Sequence, residues 1–166
     1  MPRILAVDWG ERRIGLAVSD ELGVLASGLP TLEIRGEAEA VARVADTLRT
    51  VEADSVVVGL PLKLSGERGE AAHAVERFAE ALRRETSVPV SLFDERLTSV
   101  ISERRMLERG EKTASRAKKS SRAQHGTSRT SRTSRKNKGK IDQGAAVALL
   151  EGWLAKLRYE REDDAR

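Results

Sequence analysis

The chain has no cysteine and only two histidines. Disulfides, thiolate metal sites and cysteine nucleophiles are thereby excluded. Aromatic residues make up 3% of the chain, too few for an exposed base-stacking platform of the RRM kind. No window reaches the apolar length of a membrane span, and the N-terminus lacks the pattern of a secretory signal. These absences fit a bacterial-type cytoplasmic protein with no membrane partner.

What is present is charge, unevenly placed. The 166 residues carry a net charge of +4. Between Lys112 and Lys140 the chain holds eleven Lys and Arg and no acid, so everything else sums to about −7. An acidic body with one basic segment implies a polyanionic partner, nucleic acid being the commonest; the alternative is a solvated insert that binds nothing. With 39% apolar residues, the length suits one domain with a proper core.

The chain opens on Ile4-Leu-Ala-Val7, a short continuous apolar run as expected of a central strand, ending in Asp8-Trp-Gly10. Ile14 to Val18 reads as a second strand. Val24 to Ile34, broken by Gly28 and Pro30, reads as a third antiparallel strand at an edge that tolerates proline. Helical spacing of Ala38, Val41, Val44, Ala45 and Leu48 predicts an amphipathic helix over 37–51. Ser55 to Gly59 is a buried strand stopped by Pro61. A helix with Ala71, Ala74, Val75, Phe78, Ala79 and Leu82 inward leads to the strand Val90 to Phe93 and then Asp94-Glu95-Arg96.

Thr98 or Ser99 is placed to cap a helix that buries Ile101, Met106 and Leu107, with Gly110 as its stop. From about 113 to 138 there is no hydrophobic period, and the Thr127–Arg135 Ser/Thr/Arg repeat cannot bury enough surface to order itself. The last helix is expected from Asp142 to about Tyr159, with Ala145, Ala146, Leu149, Leu150, Trp153, Leu154 and Leu157 inward and a charged tail over 160–166. The organisation is one α/β domain over 1–159, with a mixed sheet and a long basic loop.

Acids fall at structural edges: Asp8 after the first strand, Asp94 and Glu95 after the last, and Asp142 at the start of the last helix. A carboxylate at the end of a central strand is costly unless paired, and ligands in open α/β sheets gather outside strand ends. Carboxylates without Cys and with little His suit Mg²⁺ or Mn²⁺, and phosphodiester chemistry follows from such a site. Asp142 is also placed to be a plain N-cap, although Ala145 denies it a capping box. Asp94 and Glu95 are neighbours on a strand and face opposite ways; a buried Phe93 leaves open which enters the site. Glu11, Asp20, His73 and His125 read as solvated or structural, and Trp9 as core packing.

Four motifs in order carry a resemblance. Val7-Asp-Trp-Gly10 with Arg13-Ile-Gly-Leu-Ala-Val18, then Val57-Val-Gly-Leu-Pro61, Asp94-Glu-Arg-Leu-Thr98 and Lys138-Gly-Lys-Ile-Asp142 resemble those of the YqgF/RuvX family. The family is similar to RNase H and RuvC. The resemblance implies a five-stranded mixed sheet, three antiparallel strands followed by parallel ones, flanked by helices. It implies a metal-dependent nuclease that processes the 5′ end of precursor 16S rRNA, or alternatively resolves Holliday junctions as a non-covalent homodimer. By motif it assigns Asp8, Glu95 and Asp142 as metal-binding and catalytic, so Glu95 rather than Asp94. It makes Arg13, Lys63, Arg96, Lys138 and Lys140 candidates for phosphate contacts.

The chain departs from the family between about Ala114 and Arg135, where the usual connection is short. RNA is the favoured partner and branched DNA the runner-up. Two further classes compete: a non-catalytic RNA-binding assembly factor, and a nucleotide-hydrolysing domain of the actin/Hsp70/sugar-kinase type. The latter clasps nucleotide between two domains, and this chain has length for one.

Overall fold

A computed structural model describes residues 2–63, 65–94, 96 and 134–164, with side chains in the last stretch described from Gln143 onward. The elements are β1 (Ile4–Trp9), β2 (Arg13–Ser19), β3 (Ala26–Glu33), α1 (Glu37–Thr50), β4 (Ser55–Leu60), α2 (Glu70–Glu85), β5 (Val90–Asp94) and α3 (Ser134–Asp164). The strands form one sheet in the order β3-β2-β1-β4-β5. β1–β2 and β2–β3 are antiparallel, whereas β1–β4 and β4–β5 are parallel. This is the arrangement the resemblance implied. β3 is an edge strand, and its pairing with β2 slips by a residue opposite Gly15, at Pro30 and Thr31. A bulge on an edge is where a proline with no N–H to donate does least harm.

Strand alternation divides the core in two. Leu5 and Val7 of β1, Ile14 and Leu16 of β2, and Val56, Val58 and Leu60 of β4 pack against the buried faces of α1 and α2. Trp9 joins this layer, its ring 4.4 Å from that of Phe78, as expected of core packing; such a pair contributes about 0.5–1.5 kcal/mol beyond its burial. Ile4, Ala6, Ala17, Val57 and Phe93 face the other way, onto Ala146, Leu149, Leu150 and Leu154 of α3. Phe93 meets Trp153 edge to face at 5.5 Å.

Helix phase differs from expectation at three alanines: in α1 Ala38 is exposed and Ala40 is buried in its place, and α2 and α3 each differ at one more. Ala72 is buried and Ala71 exposed in α2, and Ala146 is buried and Ala145 exposed in α3. In both cases the next residue fits the three- and four-residue steps to Val75 and Phe78, or to Leu149 and Leu150.

The bounds of α3 also differ. It begins at Ser134 and continues to Asp164, so Asp142 lies inside the helix and is not its N-cap. The added N-terminal turns are polar throughout, which removes the hydrophobic period by which a helix is read. Arg and Lys are nonetheless good helix formers, and extending a packed helix is far cheaper than starting one. At the other end Lys156 and Glu160 form an i,i+4 pair at 3.6 Å.

Two turns show how local chemistry fixes the frame. Asp20, expected to be plain surface, closes the β2–β3 turn: its Oδ1 accepts the N–H groups of Val24 at 2.7 Å and Leu25 at 3.0 Å. Those bonds, Leu25's first, hold its carboxyl below the usual range. α1 ends in a Schellman motif, with Ala53 N–H on Leu48 O at 3.1 Å and Glu52 N–H on Arg49 O at 3.2 Å. Glu52 sits there at φ 51°, a left-handed conformation disfavoured for residues with a Cβ. Glu52→Gly is therefore expected to stabilise the protein by about 1 kcal/mol and raise Tm by about 2–4 °C in a thermal melt.

Candidate functional site

The parallel strands β1, β4 and β5 all end at the same edge of the sheet, and Asp8 and Asp94 are both there. They do not share a face. Asp8 has the parity of Ile4 and Ala6 and so belongs to the α3 face. Asp94 has the parity of Val90 and Leu92, which pack on the α1/α2 side.

The sheet floor around Asp8 is bare. Its cross-strand partner on β2 is Gly15. On β4 the residue following Val58, the partner of Val7, is Gly59, which shares the face of Val57. A half-buried carboxylate is thus flanked on both sides by residues without side chains. Asp8, Trp9, Gly10, Glu11, Arg12, Arg13 and Gly15 line an open cleft at this edge. Arg12, which the sequence reading did not single out, is exposed in that cleft. Its signal was available, since it lies in the turn directly after a strand-end acid.

Arg13 opens β2 with the parity of Gly15 and Ala17, so it stands on the same face as Asp8. Its Nη2 lies 3.5 Å from Glu33 Oε1 across the β2–β3 pair. Gly10 makes the turn possible: a Cβ there would sit 2.6 Å from Arg13 O. Lys63 follows β4 in a small hairpin closed by the Leu62–Arg68 bridge. The hairpin leaves Lys63 exposed, with its Nζ 3.5 Å from Glu67 Oε2.

Asp94 is fully engaged on its own side. Arg96 Nε donates to both its oxygens at 3.0 Å, Nη2 to Oδ2 at 2.6 Å, and the Arg96 N–H to Oδ1 at 3.0 Å. The side-chain hydrogen bonds from Arg96 are the main cause holding the Asp94 carboxyl below its usual range. Because that pKa is lowered on folding, the pair's contribution is complete above the ordinary carboxylate pKa and is withdrawn as pH falls through the folded value.

Of the acids expected to converge, Glu95 lies outside the described residues, and Asp142 is described only as backbone within α3, as are Lys138 and Lys140. The helix expected over 98–110, His125 and the basic repeat before Ser134 also lie outside them. Among the described residues no group of three His, Cys, Asp or Glu side chains could hold a metal ion. α3 does pack over the face that Asp8 occupies, and Gln143 lies against Gly28 of β3. No helix among the described residues is long and apolar enough to cross a membrane.

A family model described as "RuvX: Holliday junction resolvase" matches residues 2–123. A protein of Anaeromyxobacter dehalogenans (strain 2CP-C) named "Putative pre-16S rRNA nuclease" is 40% identical over 152 residues, covering 92% of this chain and 96% of its own length. A protein of the same name from Rhodococcus opacus (strain B4) is 40% identical over 157 residues, covering 92% and 76%. Among solved structures, Thermus thermophilus RuvC bound to a Holliday junction substrate superposes with TM-score 0.53 at 19% identity, covering 95% of this chain and 96% of that one. At that identity the likeness speaks for the fold, which is RNase H-like. With the family model and the relatives spanning most of its length, the chain belongs to the RuvX family.

Proposed function

We propose that this chain is a divalent-metal-dependent endonuclease acting on structured RNA, with the 5′ end of precursor 16S rRNA as its substrate in the cytoplasm. The observation that carries the reading is the Asp8 carboxylate at the end of β1, on the α3 face, with Gly15 and Gly59 on either side. Bare backbone beside a carboxylate leaves room for a hydrated cation and a phosphate, and an all-oxygen donor set suits Mg²⁺ or Mn²⁺. The residues present fit the group.

Asp8, Glu95 and Asp142 are the residues that would hold it. Asp94 turns to the opposite face and spends its oxygens on Arg96, which supports Glu95 as the acid of that pair. The ions would supply Lewis-acid charge to the scissile phosphate and the attacking water. Arg13, on the Asp8 face, and Lys63, on the neighbouring hairpin, orient the phosphate backbone without reading sequence. Lys138, Lys140 and the basic stretch before α3 add counter-charge that an acidic body lacks, and the single domain over 1–159 needs this to hold a polyanion. The names of the relatives favour RNA.

The family's description favours a second reading, resolution of four-way DNA junctions. That reading requires a homodimer presenting two sites. Cleavage of a precursor-rRNA mimic and of a four-way junction, compared in Mn²⁺ at one salt concentration, decides between them. Preferential cutting of the RNA by a monomer is the expected result. Paired symmetric nicks in the junction, with RNA left intact, would establish the second reading instead, and RNA binding with no cleavage in either metal would favour an assembly factor.

A further inference from the structure

Arg96 looks, by its motif, like one more cation for the substrate, but its bonds say otherwise. Three of its contacts, from Nε and Nη2, go to Asp94. Nη1 reaches across to the carbonyl of Lys63 at 3.3 Å, thirty-three residues away. That carbonyl is the junction of the β4–α2 hairpin, since it also accepts the Gly66 N–H at 2.8 Å. Gly66 can take that position because its φ is +85°, and its Cβ site lies 3.7 Å from Arg96 Nη1. The Lys63 N–H in turn is held by Glu67 O at 3.1 Å.

The Lys63 backbone is therefore fixed on both sides of its Cα. Among the described residues its ammonium is held by an exposed pair with Glu67 at 3.5 Å, a kind of pair that contributes little and yields readily to a phosphate. With its Nε and Nη2 side committed to a carboxylate and Nη1 engaged on the Lys63 carbonyl, each nitrogen of the guanidinium is already spent on the protein, which disfavours bidentate phosphate recognition. We propose that Arg96 is a positioning residue: together with Asp94 it straps the 62–68 hairpin to the end of β5, so that Lys63 is presented to the nucleic-acid backbone at the edge where β1 delivers Asp8. This rests on the nucleic-acid reading above and names how one of its contacts is held.

The test is a double-variant cycle on binding, read without turnover. Fluorescein-labelled stem-loop RNA is titrated in Ca²⁺ with the full chain and with Lys63→Ala, Arg96→Lys and both together. Lys63→Ala is expected to weaken binding about fivefold and to lower the salt slope by about one. Arg96→Lys keeps the charge but cannot span Asp94 and the Lys63 carbonyl, so it should reproduce both changes, and the double variant should be no weaker than Lys63→Ala. Additive losses of affinity, with Arg96→Lys leaving the salt slope at the parental value, would mean that Arg96 touches phosphate itself and would overturn the proposal.

Hydrogen exchange in the free protein gives a readout that does not depend on any substrate. Arg96→Lys should speed exchange at the Lys63 and Gly66 amides while leaving the β1 amides unchanged; unaltered exchange in the hairpin would equally overturn it. Should Arg96→Lys fail to fold, Asp94→Asn loosens the same strap from its other end and is expected to behave alike. Cleavage by the parent chain in Mn²⁺ is scored separately. A non-additive cycle without cleavage would keep the strap and refute the nuclease.

Discussion

Asp8→Asn is expected to abolish phosphodiester cleavage, lowering the rate about a thousandfold, the scale set by several kcal/mol of transition-state stabilisation. The substitution is nearly isosteric, and Asp8 is paired in register with Gly15 through its backbone, which the change leaves alone. What it removes is a negative charge from a half-buried strand end. The melting temperature should therefore stay within a few degrees of the parent, and RNA binding in the absence of metal should be retained. Single-turnover cleavage of the rRNA mimic in Mn²⁺, alongside a thermal melt, checks both halves. Parental cleavage by the folded variant would sink the metal-site assignment altogether.

Why the sequence singles out Asp8 yet leaves the choice between Asp94 and Glu95 open has a physical reason. The run Ile4–Val7 ends in a charge, and that alone marks a strand end in need of a counter-ion. Phe93 is just as legible as buried. In a sheet covered on both faces, however, burial carries no information about which face. Only the contact with Trp153 on α3 places Phe93 on the side of Ala6 and Asp8, and so places Asp94 on the other. Until that contact is known, alternation along β5 is a pattern without an origin.

The same distinction runs through the rest of the chain. The sheet, its edge strand with Pro30, and the helices α1 and α2 were legible because each has a hydrophobic period or a breaker. The early start of α3 was not, because Ser134–Lys140 is charged and polar all round and shows no period to read. Asp20 looked like surface for a related reason: its bonds go to backbone N–H groups, which every sequence offers equally.

Gly10→Ala is expected to couple stability to activity, which makes it the sharpest check on the geometry of the β1–β2 turn. The added Cβ would lie 2.6 Å from Arg13 O, a backbone atom that cannot rotate away. The turn must therefore move, yet it is tied at Arg12, whose carbonyl accepts the Ile34 N–H at 3.0 Å, and at Arg13, which is in register with Glu33. Relief can come only by straining those pairings or by shifting the end of β1, where Asp8 lies two residues before Gly10. Overpacking of this sort costs about 1–3 kcal/mol, and a displacement approaching an ångström at a catalytic group costs about a hundredfold in rate. Denaturant melts and single-turnover rates measured together should show both losses. Gly36→Ala is the matched comparison: its Cβ would meet nothing within 4 Å, and it tests the loss of a glycine without the clash. If Gly10→Ala lost stability but kept the parental rate, the turn would be a structural joint only, and Asp8 would owe its position to β4 and the sheet rather than to the strand–turn–strand unit that carries it.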